Sequence, residues 1–409
     1  MLLNEEEISF KEYTETGFKF DADEINKKYE NGELRIITEQ GRYPLQNILE
    51  ILSKNIKFDP TYQRRRVWNN AQKSRLIESF IMNVPIPPVF LYEIEYSKYE
   101  VMDGLQRLST LYEFYSNKFR LSGLTVWQEL NGLTYSELPE QIKRGIDRRY
   151  ISTYVVLKET AKNEEDELML KTYVFERLNT GGTQLTDQET RNALYDGKMN
   201  FLTKKIAKDC KVLHKLWNLK PINEEDLISQ DLPDEVDSTD AELDDKKILI
   251  RMEDIELVLR YFAYRQIESN PAVKVKALLD LYLRKANEQY DEQILQDLEE
   301  LFYAVHDLAY KLFGKSAFYM YTKNKNDTFS WKNRPSKMVY DPMMYVLSEY
   351  VQDEAKKKKL IENKDGLKIA LENMFRNSVS DFNGRNNNKS DVIRRIELFR
   401  LIFNDILGI

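Results

Sequence analysis

The chain has 409 residues, 42% of them hydrophobic and 32% charged, with a formal net charge of −7. That length exceeds one ordinary core, so two domains, or one domain with a large helical extension, are expected. The acidic balance argues against a dedicated non-specific nucleic-acid binder, which gains affinity by releasing counterions from clustered Lys and Arg. The single cysteine, Cys210, excludes an internal disulfide and a cysteine-built zinc site, and reads as a small buried hydrophobe.

No apolar run reaches membrane-spanning length, and Met1-Leu2-Leu3-Asn4-Glu5-Glu6-Glu7 is acidic where a signal peptide would be basic, so a cytoplasmic protein is expected. Residues 1–40 read as an entry arm with a strand at Leu34 to Thr38. A helix follows with Leu45, Ile48, Leu49 and Leu52 on its apolar face. Gln72 to Met82 reads as a second helix, stopped by Pro85, and Pro87 and Pro88 force an extended entry into the next strand. Pro88 to Tyr92 and Tyr99 to Met102 read as short strands. Leu108, Leu111, Tyr112 and Tyr115 then recur at helical spacing, and Thr153 to Leu157 reads as a third strand.

From about residue 200 the pattern changes to long amphipathic helices, Met252 to Arg265, Val275 to Lys285 and Gln293 to Leu312, without strand alternation. Asn223 to Lys247 is acidic, carries Pro233 and lacks periodicity, as a loop or linker would. A last helix is expected from Asp391 to Leu407, capped by Ser390 or Asp391. The expectation is an α+β chain: an N-terminal domain with a small mixed sheet over 41–200, then an all-α domain over 201–409.

Asp103-Gly104-Leu105-Gln106-Arg107 is the turn between a strand and a helix. A helix N-terminus carries unpaired N–H groups and partial positive charge, Gly104 admits close approach of an anion, and Arg107 offers a fork suited to phosphate oxygens. Asp103 could hold a metal ion or a ribose hydroxyl. The competing reading is an ordinary Asp-Gly turn with Arg107 as a surface charge on the first helical turn.

Phe58-Asp59-Pro60-Thr61-Tyr62-Gln63-Arg64-Arg65-Arg66-Val67-Trp68 joins aromatic faces, an amide and guanidinium groups after a proline, a set that can grip a base or a phosphate; Trp68 alone reads as a core anchor. Arg177-Leu178-Asn179-Thr180-Gly181-Gly182 places an arginine and an amide before a double glycine, after which a helix resumes at Asp187 with Thr186 or Asp187 as its cap. That segment reads equally as a simple connector between helices. Arg65 and Arg66, with Arg148 and Arg149 beside Lys143-Arg144, are the DNA-facing candidates. Lys356-Lys357-Lys358-Lys359 reads as a solvated face.

These segments, with Asn83-Val84-Pro85-Ile86-Pro87-Pro88 between them, resemble in order and spacing the N-terminal domain of the GmrSD-type modification-dependent restriction endonucleases, a ParB/sulfiredoxin-like domain. Leu105 departs from the family's usual Asp-Gly-Gln-Gln-Arg turn, whereas Asp103, Gly104, Gln106 and Arg107 match it. The resemblance implies a restriction-type, anti-phage role, with a nucleoside triphosphate bound and hydrolysed with magnesium or another divalent metal. Asp103, Gln106 and Arg107 would be catalytic, with Asp103 toward the metal, and Gln63, Arg64, Gly104, Arg177, Asn179 and Arg191 would lie around the nucleotide. Implied partners are DNA, modified or not, and the triphosphate.

Restriction enzymes of this group finish their work with a histidine-based HNH nuclease centre. Here the histidines are His214 and His306, each isolated on a helical stretch and read as structural. Pro233-Asp234 with Asp244-Asp245-Lys246 only faintly echoes another nuclease motif, and Leu312-Phe313-Gly314-Lys315-Ser316 lacks the leading glycine of a P-loop. A nuclease partner or a second copy of the chain therefore stays open, as do two other functions: a DNA-reading module without turnover, and direct nicking by the ParB-like domain.

Overall fold

Alternation along Val89-Phe90-Leu91-Tyr92 determines how the N-terminal sheet is covered. Val89 and Leu91 enter one apolar cluster with Leu45, Ile48, Val101 and Leu108. Tyr92 enters another with Met102, Val156, Val174 and Phe175, against which Phe90 packs. A strand buried on both faces in this way belongs in the middle of a sheet.

The computed structural model describes residues 2–10, 26, 36–57, 68–161, 164–178, 186–219, 248–249, 251–324, 327–382 and 388–409. They divide into two compact units, one taking the described residues from 26 to 194 and the other those of 2–10 and of 195 onward.

The first unit runs β1 (Thr38–Pro44), α1 (Ile48–Lys54), β2 (Ile56–Lys57), α2 (Asn70–Met82), β3 (Val89–Glu95), β4 (Lys98–Asp103), α3 (Leu105–Tyr115), α4 (Glu140–Asp147), β5 (Tyr150–Val156), α5 (Glu164–Leu178) and α6 (Asp187–Leu194). The strand order is β1-β5-β3-β4-β2. β1 runs antiparallel to β5 with Gly41 opposite Thr153. β5 is parallel to β3, β3 antiparallel to β4 with Phe90 opposite Asp103, and β4 parallel to β2. The mixed sheet expected from the sequence is present. Its first strand begins at Thr38, and positions 34 and 35 of the expected strand lie outside the described residues.

Local chemistry explains the helix ends near the turn. α2 opens on a capping box, Gln72 N donating to Asn69 Oδ1 at 2.8 Å and Asn69 N to Gln72 Oε1 at 3.1 Å. It closes at Asn83, in the left-handed region at φ 59°, so the helix has ended before Pro85. Glu78 is buried inside α2 and accepts from the backbone of Val126 and Trp127, both at 2.9 Å. Burial pushes its carboxyl up, but the hydrogen bonds from Trp127, Val126 and Thr125 outweigh burial and hold it below its ordinary value.

The second unit is helical, as expected: α7 (Lys198–Asp209), α8 (Lys211–Leu216), α9 (Glu253–Arg265), α10 (Val275–Gln289), α11 (Glu292–Phe313), then, after a short hairpin, α12 (Lys337–Tyr350), α13 (Glu354–Glu362), α14 (Lys364–Asn377) and α15 (Lys389–Leu407). The hairpin pairs β6 (Tyr319–Lys323) with β7 (Phe329–Pro335). It is the one addition to the all-helical expectation among the described residues, carried by period-two aromatics: Tyr321 lies opposite Trp331 and its ring packs on those of Phe329 and Trp331, while Tyr319 lies opposite Pro335. α9 is buried nearly all round, its charged Asp254, Arg260 and Arg265 included, and forms the centre of this unit.

The opening segment packs into the same unit. Glu6 is buried and takes both Nε and Nη2 of Arg265, at 2.6 and 2.5 Å. Cys210 is buried at the junction of α7 and α8, where burial raises its thiol. His214 bonds the Ala207 carbonyl at 2.7 Å. His306 lies between the Phe302 carbonyl and the Tyr340 hydroxyl, stacked on Phe302. The last helix corrects its expected cap: Asn388 is the N-cap, and Asp391 returns the capping box by accepting from Asn388 N at 2.9 Å. Among the described residues no helix is long and apolar enough to cross a membrane.

Candidate functional site

Where β4 ends, the chain must turn into α3 while staying against β3. Gly104 makes that turn at φ 97°, ψ 13°, a conformation that favours glycine. Space imposes the same choice, because a Cβ at this position would lie 2.8 Å from Val89 Cγ2 and 3.1 Å from Arg107 Nη2. Leu105, at the departure from the family pattern, is the first residue of α3 and is buried in the core, so here its side chain anchors the turn. Leu108 N donates to the Gly104 carbonyl at 3.0 Å and starts the helix.

Around this turn the sequence-predicted residues come together. Arg107 Nη2 donates to Asp103 Oδ2 at 2.7 Å. Its Nη1 donates to the Pro88 carbonyl at 3.1 Å and also to the Pro87 carbonyl. The guanidinium therefore ties the turn to the extended proline segment that enters β3. Its side chain is only 12% exposed, whereas that of Asp103 is 39% exposed. Gln106 Oε1 accepts from Trp68 N at 3.1 Å, which fixes the chain just after the Gln63-to-Arg66 segment. Trp68 itself is half-buried against the core, as an anchor would be.

The remaining candidates are distributed differently. Gln63, Arg64, Arg65, Arg66 and Asn179, with the Gly181-Gly182 turn, lie outside the described residues. Arg177 is exposed near the end of α5, its Nη1 on the Tyr173 carbonyl at 3.2 Å and its guanidinium 5.2 Å from the Tyr173 ring centroid. Arg191 is buried on α6 and donates to Gln188 Oε1 at 3.2 Å. Buried Gln188, Glu189 and Asn192 give that short helix a polar interior. Thr186 caps it in a box with Glu189, at 2.7 and 3.1 Å. Arg148 is exposed. Arg149 donates through Nε to the Phe80 carbonyl at 3.3 Å, and its own carbonyl accepts from Leu45 N.

Two features near the sheet were missed by the sequence reasoning. Lys171 on α5 bridges Glu100 and Glu167 at 3.1 and 2.9 Å and lies 4.4 Å from the Tyr92 ring centroid. Thr153 Oγ1 and the Tyr92 hydroxyl are buried without a hydrogen-bond partner among the described residues. Helical spacing from Lys171 to Glu167 could have suggested the first; the second depends on strand register alone.

Residues 48–195 match the family model described as the GmrSD restriction endonuclease, N-terminal domain. This segment is similar to the GmrSD-type N-terminal domains. The match takes in everything from α1 to α6 and so contains the whole Asp103-to-Arg107 turn. The family is of the restriction type, and the matched segment makes up about a third of the chain. Neither a curated protein nor a solved structure matches the chain significantly.

Proposed function

We propose that the GmrSD-type domain binds and hydrolyses a nucleoside triphosphate at the β4–α3 turn, in a protein that acts against foreign or modified DNA. The observation that carries this reading is the left-handed Gly104 opening α3 beside a partly exposed Asp103 whose carboxylate Arg107 holds in place. A phosphate brought to this turn meets the positive end of a helix and a backbone without a Cβ. Arg107 acts mainly by positioning, since two proline carbonyls and Asp103 already engage it. Asp103 orients the attacking water, and Gln63, Arg64, Arg177, Asn179 and Arg191 complete the nucleotide's surroundings.

A divalent ion fits this site in one form. Among the described residues no three His, Cys, Asp or Glu side chains gather to hold a metal. An ion held by the Asp103 carboxylate and by the nucleotide's own phosphates needs no such cage. When bound, it neutralises phosphate charge; all other work here is binding and orientation by the chain. DNA is the expected substrate or trigger of a restriction-type protein, contacted through Arg65, Arg66, Arg148 and Arg149.

The engagement of Arg107 also favours a second reading, a DNA-reading module without turnover, in which the turn is purely a rigid support. Phosphate release from each of four nucleoside triphosphates with magnesium, with and without DNA, separates the two. Turnover that Asp103→Ala abolishes supports the first reading. No turnover, with DNA retention lowered by the arginine substitutions, supports the second. Relaxation of a supercoiled plasmid by the chain alone would point instead to direct nicking.

A further inference from the structure

The helical unit contains a cavity of about 520 Å³ between the C-terminal end of α11, the β6–β7 hairpin and the first turns of α14. Its size falls in the range that takes a small ligand whole. Phe313, Tyr319, Trp331 and Phe375 are among the residues lining it. Two of these rings are fixed in advance: Trp331 Nε1 donates to Glu372 Oε1 at 2.9 Å, and Asn218 Nδ2 donates to the Tyr319 hydroxyl at 3.2 Å. Trp331 also stands edge-on to Phe375, with ring centroids 6.1 Å apart.

Cations share the same walls. Lys311, Lys364 and Lys368 line the cavity together with one carboxylate, Asp365. Lys311 is already paired with Asp307 at 2.6 Å. Lys364 and Lys368 are exposed and form no ion pair or hydrogen bond among the described residues. They sit in the opening turns of α14, where the helix dipole adds to their charge. Lysines alone would be a solvated face, and aromatics alone the edge of a core. Fixed aromatic faces and unpaired ammonium groups in one cavity form the combination by which proteins hold a nucleotide, the base on the rings and the phosphate on the cations.

We propose that this cavity binds one nucleotide unit, its base against Trp331 and Tyr319 and its phosphate on Lys364 and Lys368. The unit comes either from a free nucleotide or from a single strand of DNA, and the chemistry of recognition is common to both. The site is separate from the β4–α3 turn, and its existence does not depend on turnover there.

The test titrates the full-length chain with a nucleoside monophosphate and, separately, with a short single-stranded oligodeoxynucleotide. Nucleotide held at the β4–α3 turn does not depend on Lys364 and Lys368, so only the lysine-dependent part of each titration is counted. Charge reversal at the two exposed lysines, Lys364→Glu with Lys368→Glu, is expected to weaken binding at least tenfold with the melting temperature unchanged. For the oligonucleotide it should also lower the log–log salt slope by about 0.7, the contribution of one lost phosphate contact on a single strand. Asp365→Asn should tighten binding. Lysine-dependent binding of either probe upholds the proposal, the responding arm identifying the source of the nucleotide. Failure of both probes to bind, or binding that the lysine substitutions leave unchanged, overturns it.

Discussion

Asp103 and Arg107 stand one helical turn apart across the start of α3, joined at 2.7 Å, and the same guanidinium holds the carbonyls of Pro87 and Pro88. The arginine is thereby a tie between a loop, a strand end and a helix. The aspartate is the partner that remains partly open to solvent. This asymmetry separates the consequences of removing each.

Arg107→Ala leaves two carbonyls and a carboxylate without their donor. Hydrogen bonds to charged groups contribute roughly 1.5–3 kcal/mol each, so the loss should be on the order of 3 kcal/mol. Asp103→Ala removes a group that solvent screens, and should cost about 1 kcal/mol or less. Denaturant midpoints of the two variants measure the difference, and equal losses would contradict the positioning role given to Arg107.

Gly104 and Gly132 both have positive φ, at 97° and 88°, but only Gly104 is crowded; a Cβ on Gly132 would meet nothing within 4 Å. Gly132→Ala should therefore show the backbone strain alone, on the order of 1 kcal/mol. Gly104→Ala adds the clash with Val89 and should lower the melting temperature clearly further. Matching shifts in the two variants would show that the space above Gly104 is not limiting.

His306 makes acid stability a direct readout of burial. Desolvation lowers its imidazole from 6.5 to about 3, against the opposing bond to the Phe302 carbonyl. Between those two values the unfolded chain binds a proton that the folded chain refuses. The stability due to the neutral ring is complete above pH 6.5 and falls by roughly 1.4 kcal/mol per pH unit below it. Unfolding compared at pH 7.5 and 5.5 should show a smaller decline in His306→Gln than in the parent chain. A decline of the same size in both would place the acid sensitivity elsewhere.

Glu6 and Arg265 form a bidentate pair whose side chains are 1% and 2% exposed. Removing one member of such a pair strands a buried charge, so Glu6→Ala should destabilise the helical unit by about 3–5 kcal/mol. Trypsin sensitivity of the α9 and α10 region should rise with it. A variant as resistant as the parent would mean that the opening segment contributes little to this unit.

Much of the sheet was legible because β3 and β4 carry strong apolar alternation, and the long helices because their apolar residues recur at helical spacing. The hairpin escaped because each strand is short and its aromatics lie between long helices, where period two is easily lost. The Glu6 pair escaped for another reason: partners 259 residues apart leave no local pattern. At the candidate site, Asp103, Gly104 and Arg107 were singled out from the turn itself, and Gln106 from the family resemblance. What the sequence could not show was that Arg107 is already occupied, since its acceptors are backbone carbonyls and carry no residue signature. Likewise Arg191 gave no sign that it would be buried among polar side chains.

The most direct test of the central claim replaces one carboxylate oxygen and leaves the turn in place. Asp103→Asn keeps the side chain's shape, and phosphate release and triphosphate-dependent stabilisation against unfolding can be measured on the same sample. The account predicts that the parent chain releases phosphate, while Asp103→Asn remains folded, is still stabilised by triphosphate and loses turnover by about a hundredfold or more. Turnover in Asp103→Asn equal to that of the parent chain would contradict it.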